Sequence, residues 1–292
     1  MRTSLPSALL ILAALLLPAC GQRLTESQLN ESLERGWRAF STGDFDVAVA
    51  AFDAVEKAPG ALGEARYSAL LGLASAWQLR PNPELARARD CYGRLDALGT
   101  EQARKQGMLG LALVDLAEGR TAEGQSRLTD LVRKFPESPE ADEASIHLAE
   151  SLLEPRASAS SPAGFGLPAE APVERGLRVL EERLQAFPHN PLATAMHIML
   201  ANQYIKLQRF PEAVKHLIAA DEEGIAVRTS RAITRWRIAR IAEKELGDYA
   251  LAEKYYQRYV DEFQRTVLYY RALTSLERVR QARRGAQEAQ TQ

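Results

Sequence analysis

Eleven residues near the carboxyl end, Leu246-Gly-Asp-Tyr-Ala-Leu-Ala-Glu-Lys-Tyr-Tyr256, carry a pattern that extends to most of the chain. An aromatic residue, Tyr249, stands three positions before a small one, Ala252, and Tyr256 follows four positions later. Offsets of three and four place side chains on one face of a helix. The small middle residue lets a neighbouring helix approach closely, and the large flanking residues fill the space beside it. The stretch therefore predicts a helix packed tightly against others.

The same pattern occurs five more times along the chain. Its copies are Phe45/Ala48/Phe52, Leu85/Ala88/Tyr92, Thr121/Gly124/Leu128, Val173/Gly176/Leu180 and Phe210/Ala213/Leu217. Successive copies start 36 to 40 residues apart, except for one gap of 52. Turns such as Ser41-Thr-Gly-Asp44 precede them, with glycine to end one helix and aspartate to begin the next. We expect an all-α fold of six helix pairs.

These turns, small residues and aromatic residues resemble the tetratricopeptide repeat, and the pairs often end at proline, as in Phe135-Pro136. The resemblance implies an α-solenoid of about six helix pairs spanning residues 28–284. A related repeat with longer loops is the alternative, and it gives the same architecture. The apolar and arginine-rich segment from Val267 to Arg284 predicts a capping helix, because end repeats need a polar outer side.

Two segments fall outside the repeat pattern. Residues 154–172 are rich in proline, serine, alanine and glycine, so they bury too little apolar surface to offset the entropy of ordering. They are expected to form a flexible insertion at a tolerant turn; a partner-binding arm anchored by Phe165 and Leu167 is the alternative. Residues 285–292 are expected to be a disordered tail.

The first residues combine a positive start, Met1-Arg2, with an apolar run of ten residues from Ala8 to Leu17. That run is shorter than the roughly 20 residues needed to span a bilayer, but it suits the core of a signal peptide. Leu17-Pro-Ala-Cys20 resembles a bacterial lipobox. The resemblance implies a signal peptide over residues 1–19, acylation of Cys20, for example by palmitate, and a lipidated tether over residues 20–27. An ordinary cleaved signal peptide is the alternative.

Residue 21 bears on which membrane holds the anchor. In lipoproteins sorted as in enterobacteria, aspartate after the lipidated cysteine retains the protein in the inner membrane, whereas this chain has Gly21. The resemblance therefore implies an outer-membrane protein facing the periplasm. The second cysteine, Cys91, would have no disulfide partner if Cys20 carries lipid, and we expect it to be a small buried hydrophobic residue.

Composition and motifs argue against several classes of function. The formal net charge of −1 gives no general electrostatic basis for binding nucleic acid. The chain lacks the His-Glu-x-x-His, Cys-x-x-Cys, phosphate-loop and Gly-x-Ser-x-Gly patterns, and its four histidines are scattered in sequence. We therefore expect no enzyme, no metal, no cofactor and no small-molecule substrate.

Recognition of other proteins is the remaining class. By resemblance to the repeat family, the first helix of each pair lines a concave wall that holds peptides. The side chains expected to face inward are Trp77, Gln106, His147, Glu150, Asn202, Lys206, Arg237 and Lys244. For each one alone, an ordinary surface residue is the simpler interpretation. Trp37 and Trp236 are expected to pack within their own repeats.

Arginines recur at helical spacing in the sixth repeat, and they form a further candidate site. Arg231 and Arg235 could meet an acidic partner segment or anionic headgroups. The simpler interpretation is a solvated helix face that pairs with the acidic stretch Asp221-Glu-Glu223.

The sequence favours a lipid-anchored scaffold of the cell envelope that binds cell-envelope proteins. The segment Leu131 to Ala144 resembles inter-repeat junctions of outer-membrane barrel-assembly lipoproteins and of periplasmic cell-division coordinators. That resemblance implies a role in assembling an outer-membrane or envelope complex. A pilotin-like factor that binds one client tail, and an accessory of secretion or polysaccharide export, are the alternatives. Fold alone does not decide among them.

Overall fold

The computed structural model describes residues 25–59, 61–153 and 171–290. In these ranges the chain forms helices and turns and contains no strand, which confirms the all-α prediction. The chain divides into two compact units, with the boundary between Glu118 and Gly119. None of the described helices is both long enough and apolar enough to cross a membrane. The lipobox segment, Leu17 to Cys20, lies outside the described residues.

The described part of unit 1 contains five helices. They are α1 (Glu26–Ser41), α2 (Phe45–Glu56), α3 (Glu64–Leu79), α4 (Leu85–Asp96) and α5 (Glu101–Ala117). Each helix packs against the next along the chain. The first helices of adjacent pairs also touch, α1 with α3 and α3 with α5. This is the contact pattern expected for stacked helix pairs, in which each repeat contacts its neighbours.

Unit 2 contains the remaining described helices. They are α6 (Thr121–Lys134), α7 (Pro139–Leu153), α8 (Pro172–Ala186), α9 (Ala193–Lys206), α10 (Phe210–Glu223), α11 (Arg228–Ile241), α12 (Tyr249–Glu262) and α13 (Tyr269–Gln290). Helix α11 continues as a π-helical turn, Ala242–Leu246. The sequence pattern that occurs six times marks where the second helix of each pair begins. Five of them start at the first residue of a copy, and α8 starts one residue earlier.

Turn chemistry explains where several helices begin. The Asp44 side chain accepts a hydrogen bond from the backbone N–H of Val47, and Asp248 accepts one from Leu251. These bonds satisfy backbone donors that have no partner inside the helix. The preceding glycines, Gly43 and Gly247, have φ values of 80° and 65°, a left-handed conformation that glycine adopts without strain. The predicted glycine–aspartate turns are confirmed.

The core of unit 1 is built around Phe52, whose side chain is fully buried. A Cβ atom added to Gly36 or to Gly72 would lie 2.6 Å or 2.5 Å from the Phe52 ring, so glycine is needed on both sides of it. Trp37 packs edge-on against the same ring, as predicted for a structural tryptophan. Cys91 is also buried, and its burial raises the pKa of its thiol to about 11.

The core of the last repeats in unit 2 is aromatic. Four buried aromatic side chains lie on α12 or directly after it, and they pack with aliphatic residues of α10, α11 and α13. They are Tyr255, Tyr256, Tyr259 and Phe263. The Trp236 ring meets Tyr256 and Tyr259 edge-on. This confirms the prediction that Trp236 packs within its repeat.

The helix ends correct several predicted boundaries. Helix α1 begins at Glu26, inside the predicted tether, because Thr25 and Gln28 form a capping box there. Helix α7 ends at Leu153 as predicted, and the insertion lies outside the described residues except at its end, where Pro172 begins α8. The prediction of a disordered tail from residue 285 was wrong for 285–290. Helix α13 continues to Gln290, since the alanine, glutamine and glutamate that follow Gly285 are good helix formers.

Candidate partner-binding surface

Two predicted partner-binding residues come together between the first helices of the fifth and sixth repeats. Asn202 lies exposed on α9, and Arg237 lies half-buried on α11. Nη2 of Arg237 donates a hydrogen bond to Oδ1 of Asn202, with 2.6 Å between the two atoms. Because this bond joins α9 to α11, the two side chains share one face of unit 2.

Neither α9 nor α11 contains an aspartate or a glutamate, and α11 contains five arginines. Along α11, Ile233, Arg237 and Arg240 follow at spacings of four and three, and Lys244 follows on the π-helical turn. The side chains of Ile233, Arg240 and Lys244 are exposed. We call the surface formed by Asn202, Lys206, Ile233, Arg237, Arg240 and Lys244 the α9–α11 face.

The other two predicted arginines, Arg231 and Arg235, are engaged by carboxylates of their own chain. The Nε atom of Arg235 lies 2.8 Å from Oδ1 of Asp221, and Nη2 of Arg231 lies 2.8 Å from Oε1 of Glu262. Arg235 also pairs with Glu262. This is the simpler of the two interpretations drawn from the sequence, a helix face paired with acidic residues, although Glu262 was not foreseen as a partner.

These ion pairs surround an open cleft of about 580 Å³ between α10, α11 and α12. Its lining residues carry charges of both signs and are Asp221, Glu222, Arg235, Arg258, Asp261 and Glu262. Arg258 Nη1 lies 3.5 Å from Oδ2 of Asp221, so both arginines of the cleft are paired within it. The cleft therefore offers no unpaired arginine to an external ligand, and its four carboxylates outnumber its two arginines.

The other predicted residues lie apart from the α9–α11 face, and Lys244 of that face has a partner within its own turn. His147 and Glu150 bond to each other on α7, with 2.9 Å between Nδ1 and Oε2. Lys244 lies 3.1 Å from Glu243, although its side chain is 54% exposed. Trp77 and Gln106 belong to unit 1.

Trp77 was predicted to face a partner, but cations of its own chain cover its ring. The guanidinium carbons of Arg87 and Arg80 lie 4.4 Å and 5.1 Å from the ring centroid. Such cation–π contacts stabilise the folded chain by about 0.5–1 kcal/mol at exposed sites. A partner would have to displace both arginines to stack on Trp77.

Sequence reasoning missed a histidine pair in which His216 is buried and His197 is half-buried. Nδ1 of His197 on α9 and Nδ1 of His216 on α10 are 2.9 Å apart, and the Tyr204 ring stacks on His216 at a centroid distance of 5.6 Å. The Tyr204 hydroxyl donates to Glu181 of α8. His197 and His216 lie on the two antiparallel helices that the short turn between Lys206 and Phe210 connects. Their similar distances in sequence from that turn could have indicated that they face each other. Among the described residues, no three metal-ligating side chains are placed to hold an ion.

Burial lowers the pKa of both histidines. The pKa of His216 falls from its usual 6.5 to about 4, through burial first and the charge of His197 second, while Glu181 acts in the opposite direction. The pKa of His197 is lowered mainly by burial as well. The pair is therefore neutral near pH 7, with one ring donating its N–H to the other.

Comparisons with known proteins agree with this architecture. A family model of the tetratricopeptide repeat matches residues 33–92 and 198–266. Among solved structures, pilF of Pseudomonas aeruginosa is similar at 14% identity and a TM-score of 0.51, over 85% of this chain and 98% of that chain. The Cut9–Hcn1 hetero-tetramer of the APC/C gives 14% identity and a TM-score of 0.49, over 87% of this chain and 43% of that chain. A tetratricopeptide-repeat protein of Thermus thermophilus gives 15% identity and a TM-score of 0.38, over 84% of this chain and 99% of that chain.

No curated protein matches the chain. The family model and the similarity to pilF nevertheless define its class. It is a helical-repeat protein of the tetratricopeptide type. At these identities the likeness concerns the fold, and the particular partner has to be argued from the surface itself.

Proposed function

We propose that this protein is a lipid-anchored scaffold of the cell envelope that binds other proteins through the α9–α11 face. The hydrogen bond between Arg237 and Asn202 carries the proposal, because it places side chains of two consecutive first helices on one surface. Exposed Lys206 and Arg240 extend that surface along each helix. Stacked helix pairs commonly present such extended faces to partners.

The location within the cell is supported by resemblance at the amino terminus. The charged start, the apolar run and Leu17-Pro-Ala-Cys20 favour export and acylation of Cys20, and Gly21 favours the outer membrane. Two or three acyl chains, at about 0.8 kcal/mol per buried CH₂ group, would hold the chain at the bilayer. The proposal assigns no catalytic step to the chain.

In-cell photo-crosslinking from position 202 tests the partner-binding face. A photoreactive amino acid replaces Asn202, and mass spectrometry identifies the products. Lys215 provides the matched control, since it is exposed on the second helix of the same repeat. We expect a discrete envelope protein from position 202 and none from position 215. Products from position 215 alone would refute the use of this face.

The two cysteines allow a matched test of the anchor. We expect Cys20→Ser to abolish metabolic labelling with palmitate and to release the protein from the membrane fraction. Cys91→Ala should keep the label, because Cys91 is buried in unit 1. If Cys20→Ser retains the label, the anchoring part of the proposal is wrong.

The crosslinked product also separates the scaffold from its alternative. Stoichiometric recovery with an outer-membrane barrel-assembly core would support a permanent scaffold, which the junction resemblance of residues 131–144 favours. Recovery of a single secretin tail would support a pilotin-like assembly factor instead.

A further inference from the structure

Two of the four carboxylates in the charged cleft are paired with arginines. Glu262 pairs with Arg231 and Arg235. Asp221 pairs with Arg235 through Oδ1 over 2.8 Å and with Arg258 through Oδ2 over 3.5 Å. The longer distance is at the limit of a hydrogen bond, and the Arg258 side chain is 43% exposed. Oδ2 of Asp221 is therefore held only loosely by the chain itself.

The other two carboxylates have no cationic partner within the described part of the chain. Glu222 is exposed and forms no hydrogen bond or ion pair there. Asp261 accepts a hydrogen bond from the side-chain amide of Gln257, which is neutral. Because carboxylates attract positive charge, this excess of negative groups makes the cleft suited to a cation.

A buried hydroxyl group without a partner lies beside these carboxylates. The Tyr255 side chain is fully buried, and its hydroxyl forms no hydrogen bond with any residue that the structure describes. Burial raises the pKa of this hydroxyl, followed by the charge of Asp221 and, in the opposite direction, that of Arg258. Both residues line the cleft, so the hydroxyl points toward it. Since buried polar groups almost always have a hydrogen-bond partner, this one indicates a ligand that the chain does not itself supply.

The Tyr255 ring already has cations of its own chain beside it. The guanidinium carbon of Arg258 lies 5.2 Å from the ring centroid, and Nζ of Lys254 lies 5.7 Å from it. Aromatic rings attract cations at such distances. If Arg258 moves away from Asp221, the position that it leaves is bounded by the Tyr255 ring and by two carboxylates. A cation from outside the chain can take that position.

The cleft is separate from the α9–α11 face. Arg235 and Arg237 are two positions apart on α11, which places their side chains about 200° apart around the helix axis. Arg235 lines the cleft, whereas Arg237 bonds to Asn202 on α9. A ligand in the cleft therefore occupies a different surface from a partner on the α9–α11 face.

We propose that the cleft binds a primary ammonium group, held between Asp221, Glu222 and the Tyr255 hydroxyl after Arg258 moves aside. The ammonium group belongs either to a lysine side chain of a protein partner or to a free amine. This inference goes beyond the proposed function and does not rest on it, because it concerns another surface.

The available acceptors favour an ammonium group over a guanidinium group. An ammonium group has three N–H donors, whereas a guanidinium group has five in a fixed plane and pairs best with both oxygens of one carboxylate. Oδ1 of Asp221 is bound by Arg235, so Asp221 offers a single oxygen. Glu222 and the Tyr255 hydroxyl provide the other two acceptors.

Ligand-observed NMR titrations of the full chain in detergent test the inference. The probe is N-acetyl-lysine methylamide, and its control is N-acetyl-norleucine methylamide, which lacks the ammonium group. We expect the lysine compound to bind and the norleucine compound not to bind. Glu222→Gln and Tyr255→Phe should each weaken binding about tenfold, the effect of losing one hydrogen bond to a charged group.

Glu223→Gln is the matched control for Glu222→Gln, since Glu223 is its exposed neighbour but pairs with His189 and does not line the cleft. It should bind the lysine compound as the unchanged chain does. Tyr255→Phe should be as stable as the unchanged chain in urea titrations, because the hydroxyl that it removes has no partner among the described residues. A loss of binding in this variant then cannot result from unfolding.

Arg258→Gln should have the opposite effect on binding. It removes the cation that competes for Asp221, so the lysine compound should bind more tightly. Arg175→Gln, which removes an exposed arginine of α8, should leave binding unchanged. An equal gain in both variants would indicate attraction by net charge alone, which would overturn the inference.

A second amine distinguishes the two sources of the ammonium group. n-Pentylamine carries it without peptide groups, so tighter binding of the lysine compound supports a protein partner and equal binding supports a free amine. The inference is overturned if the unchanged chain binds neither amine, if the norleucine compound binds equally well, or if Glu222→Gln or Tyr255→Phe binds undiminished. Crosslinking from position 202 is independent of these results, so its failure would contradict only the proposed function.

Discussion

At the scale of single residues, the Phe52 ring explains why α1 and α3 each carry a glycine where they approach it. Gly36 of α1 and Gly72 of α3 leave room for the ring between them, because a Cβ atom on either would lie within 2.6 Å of it. Overpacking a well-packed core costs about 1–3 kcal/mol. We therefore predict that Gly72→Ala lowers the free energy of unfolding of unit 1 by that amount in urea titrations.

Gly93 is the matched control for this prediction, since it also lies in a helix, α4, but no atom is found within 4 Å of a Cβ atom added there. Alanine is favoured over glycine in a helix by about 1 kcal/mol, so Gly93→Ala should be neutral or stabilising. A Gly72→Ala variant as stable as the unchanged chain would show that the Phe52 ring can move aside at no cost.

The histidine pair makes the stability of unit 2 depend on pH. The unfolded chain protonates His216 near pH 6.5, whereas the folded chain protonates it only near pH 4. The unfolded state therefore takes up protons first as the pH falls. The free energy of unfolding should be unaffected above pH 6.5 and should decrease between pH 6.5 and 4, by about 3 kcal/mol at about 1.4 kcal/mol per pH unit.

Chemical denaturation at pH 7 and at pH 4.5 checks this prediction. His216→Gln should remove most of the difference between the two pH values. His189→Gln should leave it intact, because the His189 side chain is 86% exposed. A pH response that survives in His216→Gln would assign the effect to carboxylates instead.

At the scale of helices, a buried ion pair fixes α7 against α8. Arg183 Nε lies 2.6 Å from Oδ1 of Asp142, and Nη1 of Arg183 donates to the backbone oxygen of Pro136 over 2.6 Å. Both side chains are almost fully buried. Removing one member of such a pair leaves an uncompensated buried charge and costs about 3–5 kcal/mol. We predict a loss of that size for Asp142→Ala in urea titrations.

Asp130 provides the comparison for Asp142. It pairs with Arg133 over 2.7 Å, but the side chain of Arg133 is 73% exposed. Exposed pairs contribute about 0–1 kcal/mol, so Asp130→Ala should have a small effect. Similar losses for the two variants would show that burial does not decide the strength of these pairs.

Helices and their pairing could be predicted from the sequence, because small and large residues at offsets of three and four mark the buried face directly. Ala48 and Ala252, for example, were identified from spacing and are fully buried. The division of the α11 arginines could not be predicted. It depends on Glu262, which is 27 residues from Arg235 in sequence and reaches it only after α12 folds back. Asn202 and Arg237 were chosen by resemblance, and their mutual bond required the structure.

At the scale of the whole molecule, charge is distributed unevenly although the total is −1. Raising the salt concentration from about 0.1 M to about 1 M shortens the screening length from about 10 Å to about 3 Å. We predict that crosslinking of the full chain to its partner from position 202 decreases over this range, while circular dichroism is unchanged. Crosslinking that is insensitive to salt would indicate an apolar interface centred on Ile233.

The burial of Cys91 has a consequence for where the chain can fold. With a thiol pKa of about 11, roughly one molecule in ten thousand carries the reactive thiolate at pH 7. Exchange with disulfides and oxidation to sulfenic acid both require that thiolate. The described repeats therefore need neither an oxidant to mature nor a reductant to stay intact, and they can fold in a reducing compartment or an oxidising one.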